Sequence, residues 1–313
     1  MKKFIQNIIY IGFFIFILSI GLDFLISEKM KTKAGLSQNE FISWNRINND
    51  SILNENVLIY GSSRARCHFN PQIITDSLNL TCYNYGIEGH NFWIQYLRHK
   101  KITQKGPIKN IIMNVGFMTF IKKKDLYNYN QFMPYMLWDK DFYTFTNSYD
   151  IFNYSDYYVP LKRFYGRREL LSTVFNNDYL TKESFQVKGH KSINKNFQLT
   201  QIQVNKIPNE TLIFHKETIE LFDQFLSECQ SNDTKVTLVF SPELYLNQQK
   251  TVNRGKLKTI INQFVQKYNL DYLDYSNHQL SMSKEYYYDM KHLNKKGADQ
   301  FTKGLVGKLK LNY

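Results

Sequence analysis

The two residues whose types and spacing are best suited to chemistry are Asp289 and His292, which stand three positions apart near the C-terminal end of the chain. A histidine can act as a general base, and a neighbouring carboxylate can hold the imidazole in one tautomer and stabilise the imidazolium. The residues that follow His292 have the pattern of a closing amphipathic helix. A base with an orienting carboxylate needs a nucleophile, so the pair predicts one elsewhere in the chain.

A candidate nucleophile follows the apolar run Val57–Tyr60, where the chain continues with Gly61, Ser62 and Ser63. A strand that ends in a tight glycine turn exposes a serine at the carboxyl edge of a sheet, where open α/β sheets bind ligands. The following helix N-terminus favours developing negative charge. We predict Ser63 as the nucleophile, with Ser62 as the alternative. The residues together predict Ser–His–Asp acyl-transfer chemistry.

The elements that must position these residues form a regular alternation. The predicted strands cover 57–60, 80–85, 109–115, 235–240 and 270–275. The predicted helices cover 92–101, 217–230, 252–268 and 297–311. Short apolar strands that alternate with helices predict a central parallel sheet covered by helices on both faces, which is a three-layer α/β/α fold.

The segment at about 118–205 breaks this alternation. It is crowded with aromatic residues and has neither the helical nor the strand period. We predict an aromatic-rich insertion that covers or borders the site. The aromatic faces could stack on sugars, although at least half of them are expected to be ordinary core and surface residues.

The N-terminus carries a nearly continuous apolar stretch at 4–26, preceded by Lys2 and Lys3. A bilayer core needs about 20 mostly apolar residues, and no small-residue cleavage site follows the stretch. We predict an uncleaved single-pass transmembrane anchor at 1–29, a linker at 30–54 and the main α/β/α domain at 55–313. A short tail before a long domain favours export, so we expect the domain outside the cytoplasmic membrane, although lysines follow the span.

Composition excludes several other classes of function. The 313-residue chain has a formal net charge of +13, but its lysines are scattered and no nucleic-acid-binding motif is present, so no nucleic-acid partner is expected. The three cysteines, Cys67, Cys82 and Cys229, form no Cys-x-x-Cys pair and are interpreted as buried free thiols. The dispersed histidines indicate no metal, and no cofactor is predicted.

These blocks resemble the SGNH, or GDSL, hydrolase superfamily. The first block is Gly61–Ser63, the second is 84–89, and the last is 289–294; the resemblance covers roughly 56–117 and 234–313. It implies a flavodoxin-like α/β/α fold with Ser63 as nucleophile. It also implies an oxyanion hole built from the backbone N–H groups of Ser63 and Gly89.

The chain departs from the family at the third block, which usually supplies an asparagine side chain after a glycine. Phe117 follows Gly116 where that asparagine would stand, and Asn114 lies three positions earlier as a candidate substitute. The loss of one oxyanion donor typically costs about two or three powers of ten in rate. Efficient simple hydrolysis is therefore in question.

A membrane span combined with these blocks is similar to a subset of the superfamily that includes the D-alanine-transfer protein of teichoic acid systems and the alginate acetylation proteins. The resemblance implies a membrane-anchored esterase or O-acyltransferase that acts on a cell-surface polysaccharide, with a polytopic membrane acyltransferase as a candidate partner. Two alternatives stay open: a lipid or small-ester hydrolase of the same fold, and a catalytically weak scaffold that binds glycan or a partner.

Overall fold

The structure is a computed structural model that describes residues 1–49, 54–176 and 186–311. The chain divides into two compact units. The α1 unit consists of Met1–Asn49 and Lys123–Ser184, and the sheet unit consists of Asp50–Lys122 and Phe185–Tyr313. The predicted insertion at 118–205 is thus divided, because its larger part packs with the N-terminal segment and its end returns to the sheet.

The regular elements are the following. The strands are β1 (Val57–Tyr60), β2 (Cys82–Asn84), β3 (Asn110–Asn114), β4 (Gln186–Val187), β5 (His190–Lys191), β6 (Lys235–Phe240) and β7 (Asp271–Asp274). The helices are α1 (Lys2–Lys31), α2 (Glu40–Asn49), α3 (Ser63–His68), α4 (Pro71–Leu78), α5 (Phe92–Thr103), α6 (Lys140–Thr146), α7 (Tyr154–Tyr158), α8 (Arg168–Phe175), α9 (Gln201–Lys206), α10 (Lys216–Ser231), α11 (Tyr245–Lys250), α12 (Arg254–Tyr268) and α13 (Lys295–Val306). Short 3₁₀ turns lie at Ala34–Ser37, Tyr129–Gln131, Lys162–Phe164, Gln279–Met282 and Lys284–Tyr286.

The sheet unit is built on a five-stranded sheet in the order β2-β1-β3-β6-β7, and every neighbouring pair is parallel. Ranked by chain order within this sheet, the strands run 2-1-3-4-5, which is the order of flavodoxin-like doubly wound folds. The predicted fold class is therefore confirmed. The order reverses between β1 and β3, and open sheets of this kind bind ligands in the crevice outside the carboxyl ends of the strands at that point.

The strands form where the sequence is apolar on both faces. All residues of β1, β2 and β3 are buried, as expected for parallel strands covered by helices on both sides. On α10, the side chains of Phe222, Phe225 and Leu226 are buried at helical spacing. Helix α10 thus covers the sheet through one apolar stripe.

The core of the sheet unit contains an uncharged histidine and unpaired thiols. His99 is buried on α5, where Tyr60 Oη lies 3.3 Å from its Nδ1 and the Phe225 ring centroid lies 4.8 Å from its own. Burial lowers the pKa of His99 to about 3. In the described part of the chain the cysteines are free and buried, which confirms their interpretation as core thiols.

The α1 unit joins the N-terminal helix to the aromatic segment. The predicted linker contains α2, whose Phe41, Trp44 and Ile47 are fully buried. The Trp44 ring packs on Phe132 and Phe142, with centroid distances of 6.5 and 5.2 Å. Helix α1 is long and apolar enough to cross a membrane by length and composition.

Candidate active site

Ser63 is placed by the turn between β1 and α3. Gly61 has a φ of +138°, and a Cβ there would come within 2.9 Å of both the Ala65 Cβ and the Asn114 carbonyl oxygen. Only glycine fits this turn without strain. The N–H of Gly61 donates to Gln95 Oε1 at 3.1 Å. Ser63 then begins α3 and is half-buried at the carboxyl edge of the sheet.

His292 is placed by the loop that leads into α13. Asn294 caps this helix, since its Oδ1 accepts the Gly297 N–H at 3.0 Å. The same side chain donates to the Glu285 carbonyl at 2.7 Å. A Cβ on Gly297 would lie 2.3 Å from the Tyr286 carbonyl oxygen, so the loop packs tightly against the helix start. Asn294 and Gly297 therefore fix the loop that carries His292.

The structure brings three of the predicted site residues into one chain of contacts. Ser63 Oγ lies 2.7 Å from His292 Nε2. Asp289 Oδ2 lies 2.9 Å from His292 Nδ1, and Oδ1 lies 3.1 Å from it. These distances fit a hydroxyl, a general base and its orienting carboxylate. Ser62, the alternative, is the N-cap residue of α3, and its carbonyl accepts the Arg66 N–H at 3.2 Å.

Asp289 is held in its ionised form. Its Oδ1 also accepts the backbone N–H groups of Lys291 and His292, at 2.7 and 2.8 Å. Burial raises the pKa of this carboxyl, but the hydrogen bonds and charge of His292 outweigh burial, and the pKa lies below its ordinary value. The Tyr288 ring stacks on the His292 ring with a centroid distance of 5.4 Å and an interplanar angle of 10°. The His292 imidazole is therefore held at both ring nitrogens, by Ser63 and Asp289, and across its plane by the Tyr288 ring.

A second histidine, which the sequence analysis missed, supports the His292 loop. His68 Nε2 accepts the Leu293 N–H at 3.0 Å, so its Nδ1 carries the proton and donates to Ser241 Oγ at 3.0 Å. Burial, together with the charges of Arg64 and His292, lowers the pKa of His68 well below its ordinary value. His68 thus stays neutral and ties the loop next to His292 to α3.

Asn114, the candidate third-block donor, is engaged by the sheet. Its side-chain nitrogen donates to the Val239 carbonyl and to Ser241 Oγ, both at 3.1 Å. An amide nitrogen has two hydrogens, and these contacts use both of them. Asn114 therefore braces Ser241 and β6 rather than offering a hydrogen to a ligand.

Arg64 lies beside Gly116 and Phe117, which follow β3. Its guanidinium lies over the rings of Phe117 and Phe240, with distances of 5.6 and 5.2 Å to the centroids, and donates to the Ser241 carbonyl at 2.5 Å. A Cβ on Gly116 would lie 3.0 Å from Arg64 Nη1. Burial lowers the pKa of Arg64, against the opposing charge of Glu243. Phe117 is thus a packing partner of this guanidinium.

The second block is held against α3 by Asn84. Its Nδ2 donates to the carbonyls of Ala65 and Phe69 at 2.8 and 2.9 Å, and its Oδ1 accepts the Gly86 N–H at 3.0 Å. Gly89 follows with a φ of +77°, a conformation that glycine adopts readily. These bonds fix the second block beside the helix that begins at Ser63.

The small hairpin of β4 and β5 covers the edge strand next to this block. The Asn84 N–H donates to the Lys188 carbonyl at 2.9 Å, and Lys191 Nζ pairs with Glu88 Oε2 at 2.8 Å. Gly189, with a φ of +81°, packs so tightly that a Cβ there would lie 2.0 Å from the Asn84 carbonyl oxygen. Strands of two residues give no readable alternation, so sequence patterns could not find this hairpin.

The arrangement can transfer an acyl group through serine. A hydroxyl within hydrogen-bond distance of an imidazole, whose other nitrogen faces a carboxylate, can be deprotonated as it attacks a carbonyl carbon. Cys67 is not a competing nucleophile, because burial raises the pKa of its thiol to about 12. Within the ranges that the structure describes, no group of three or more His, Cys, Asp or Glu side chains could hold a metal ion.

Comparisons with known proteins concern the fold. No family model and no curated protein matches the chain. It is similar to a solved structure described as "a putative platelet activating factor from Streptococcus pneumonia", at 13% identity and a TM-score of 0.44, covering 89% of this chain and 94% of that one. It is also similar to "a putative acylhydrolase" from Bacteroides fragilis, at 12% identity and a TM-score of 0.37, covering 80% and 86%. A third is "a GDSL-like lipase" from Bacteroides thetaiotaomicron, at 10% identity and a TM-score of 0.39, covering 85% and 97%.

The strand order is that of flavodoxin-like doubly wound folds, and the blocks Gly61–Ser63 and 84–89 lie at the ends of β1 and β2.

Proposed function

We propose that the protein is a membrane-anchored serine esterase or O-acyltransferase that acts on acyl groups of a cell-surface polysaccharide. The observation that carries the proposal is the contact of 2.7 Å between Ser63 Oγ and His292 Nε2, with Asp289 Oδ2 at 2.9 Å from the other ring nitrogen. A purely structural serine would not require a base whose opposite nitrogen faces an ionised carboxylate.

In the proposed first step, Ser63 Oγ attacks the ester carbonyl carbon while His292 Nε2 takes the hydroxyl proton. Asp289 stabilises the imidazolium that forms. The tetrahedral intermediate collapses when the bond to the leaving alcohol breaks, and His292 returns its proton to that oxygen. The acyl group then remains on Ser63 as an ester.

In the second step, water or an acceptor hydroxyl loses its proton to His292 and attacks the acyl carbon. The bond to Ser63 Oγ breaks, and the proton passes from His292 to the serine. Water gives hydrolysis, and a sugar hydroxyl gives transfer. The same residues therefore serve both reactions, and the acceptor that reaches the acyl-enzyme decides between them.

The oxyanion of each intermediate is assigned to the backbone N–H groups of Ser63 and Gly89. Because the Asn114 amide is engaged by Val239 and Ser241, we expect no side-chain donor from the third block. One missing donor costs about 10²- to 10³-fold in rate. We therefore expect slow turnover of simple esters.

The proposed location and substrate rest on α1, on the resemblance of the blocks and on charge. A single long apolar helix would anchor the chain in the cytoplasmic membrane, with the sheet unit outside it. A net charge of +13 suits an anionic glycan. A polytopic membrane acyltransferase is the proposed partner, because such an enzyme could supply acyl groups across the membrane.

The test uses the full chain in nanodiscs, because Asp23 and Ser27 of α1 are buried partners of Arg163 and removing α1 would take away the carboxylate that pairs with this guanidinium. Hydrolysis of p-nitrophenyl acetate is compared between the unsubstituted chain, Ser63→Ala and the matched control Ser62→Ala. The proposal is supported if Ser63→Ala loses turnover while Ser62→Ala keeps it. A stable acyl-enzyme without turnover supports transfer, and release of acetate from an acetylated polysaccharide identifies the substrate class.

Two results would favour the alternatives. Faster release of fatty acid from phospholipid than of acetate from polysaccharide would indicate a lipid hydrolase. A folded chain in which Ser63 never becomes acylated would contradict an enzyme and would indicate a binding scaffold.

A further inference from the structure

Helix α1 has two different faces where its apolar stretch ends. Asp23, Ser27 and Met30 are buried at spacings of four and three residues, so one face is covered by the rest of the α1 unit. The side chains of Leu22 and Leu25, in the same turns, are 43% and 62% exposed. In the same turns of α1, one face therefore packs against the protein while the opposite face exposes apolar side chains.

The covered face is fastened by a fully buried ion pair. Arg163 donates to Asp23 through both terminal nitrogens, at 2.8 Å to Oδ2 and 2.6 Å to Oδ1, and neither side chain is exposed. Asp23 Oδ2 also accepts the Leu161 N–H at 2.7 Å, and Ser27 Oγ accepts from Arg163 at 2.9 Å. These bonds neutralise the one acidic residue of the apolar stretch, so the stretch can continue past it into an apolar medium.

The length of α1 indicates where the bilayer would end. A helix rises about 1.5 Å per residue, so the segment from Phe4 to Leu25 is about 33 Å long, which matches a hydrocarbon core of about 30 Å. A span that stopped at Leu22 would leave exposed Phe24 and Leu25 in water. A bilayer spanned by α1 would therefore end at or just beyond Leu25, level with the loop that binds Asp23.

Large exposed side chains occur at or close to the residues that contact α1 near this level. The aromatic collar is defined as four exposed aromatic side chains together with the exposed Val159 between them: Trp138, Tyr158, Val159, Tyr165 and Phe175. The Trp138 ring packs edge-on against Phe24 at 5.8 Å, and Lys29 Nζ lies 4.8 Å from the Phe175 ring centroid. Val159 and Tyr165 flank the Leu161–Arg163 contact with Asp23.

We infer that the aromatic collar lies in the headgroup region of the bilayer that α1 spans, so that the aromatic segment of the α1 unit is seated on the membrane. Tryptophan and tyrosine favour this region because their rings are apolar and their N–H or O–H groups reach water. Lys29 and Lys162, the latter with its Nζ 5.3 Å from the Tyr165 ring centroid, supply cations for lipid phosphates. The inference rests on the membrane anchor of the proposed function and is independent of its chemistry.

The test measures depth by spin labels on single cysteines in the full chain, placed in vesicles of phosphatidylethanolamine and phosphatidylglycerol. The native cysteines are buried, so an introduced exposed cysteine is labelled selectively. Val159→Cys and Tyr165→Cys report on the collar, and Ile15→Cys reports on the span. Gly35→Cys is the matched control, because Gly35 is exposed beyond the end of α1 and a Cβ there meets no atom within 4 Å.

We expect the ratio of collisions with oxygen to collisions with an aqueous nickel chelate to be several-fold higher at Val159 and Tyr165 than at Gly35. If the label at Ile15 is accessible to lipid but the labels at Val159 and Tyr165 are accessible to water, the inference is overturned and the membrane anchor still stands. Water accessibility at Ile15 as well would overturn both the anchor and the inference. Turnover of p-nitrophenyl acetate by the same vesicles reports separately on the proposed chemistry.

Discussion

Asp289→Asn is the substitution that separates chemistry from structure most cleanly in this site. The remaining oxygen can still accept the N–H groups of Lys291 and His292, which now bind Oδ1 at 2.7 and 2.8 Å. The new NH₂ group would face His292 Nδ1, where Oδ2 now lies at 2.9 Å. A donor at that position favours the tautomer with the proton on Nε2, which cannot accept the proton of Ser63.

The size of the effect follows from these contacts. Loss of the correct tautomer in a serine triad lowers kcat by about 10⁴-fold, which is about 5.4 kcal/mol in the activation free energy. Stability should change by less than about 1 kcal/mol, because the backbone N–H groups keep their acceptor. Asp289→Ala removes that acceptor too, so it should lose similar activity and also about 1–2 kcal/mol of stability.

The assay is p-nitrophenyl acetate turnover by the full chain in nanodiscs, with thermal unfolding measured on the same samples. Turnover by Asp289→Asn within tenfold of the unsubstituted chain would refute the assignment of Asp289 as the orienting carboxylate. If Asp289→Asn loses turnover only because its melting temperature falls strongly, Asp289 has a structural role instead.

Further predictions concern the supports of the site. Gly297→Ala should lower the melting temperature, because its Cβ would lie 2.3 Å from the Tyr286 carbonyl oxygen, whereas Gly304→Ala in the same helix meets no atom within 4 Å and should stabilise by about 0.5–1 kcal/mol. Thermal unfolding of both variants checks this, and equal effects would contradict it. The pKa of His99 is lowered to about 3 by burial, so the folded state binds fewer protons than the unfolded state below about pH 6.5. The contribution of neutral His99 to the free energy of unfolding is therefore fully present above about pH 6.5, and below that pH it falls by up to about 1.4 kcal/mol per pH unit. Urea unfolding at several pH values measures how the free energy of unfolding depends on pH, and this dependence should be weaker by one proton in His99→Gln. An unchanged pH dependence in His99→Gln would refute the reasoning. His68→Phe should lower kcat by about 10²-fold with little change in KM, because it releases the loop beside the base; steady-state kinetics measure this, and an unchanged kcat would show that the loop is held otherwise.

Local patterns in the sequence predict the strands of the large sheet and single out the candidate site residues. Strands β1 and β6 have the predicted bounds, and α10 and α12 begin and end within two residues of their predicted bounds. These segments are strongly periodic or continuously apolar, and turn residues bound them. Ser63 could be singled out because it follows such a strand. Asp289 and His292 could be singled out by their spacing before a helix.

Contacts between residues far apart in the chain could not be predicted in this way. Arg163 and Asp23 are 140 positions apart, and no periodicity connects them. His68 and Leu293 are 225 positions apart, so the support of the His292 loop was equally hidden. The engagement of Asn114 depends on Ser241, whose position follows only from the pairing of β3 with β6.

The central claim is that Ser63 is the nucleophile, and the most direct measurement is peptide mass spectrometry of the full chain after reaction with a fluorophosphonate. The account predicts a single adduct on Ser63, at 2.7 Å from the His292 base, and its loss in His292→Ala with the fold intact. An adduct on Ser62, an adduct that survives His292→Ala at an unchanged rate, or no adduct in a folded chain would contradict it.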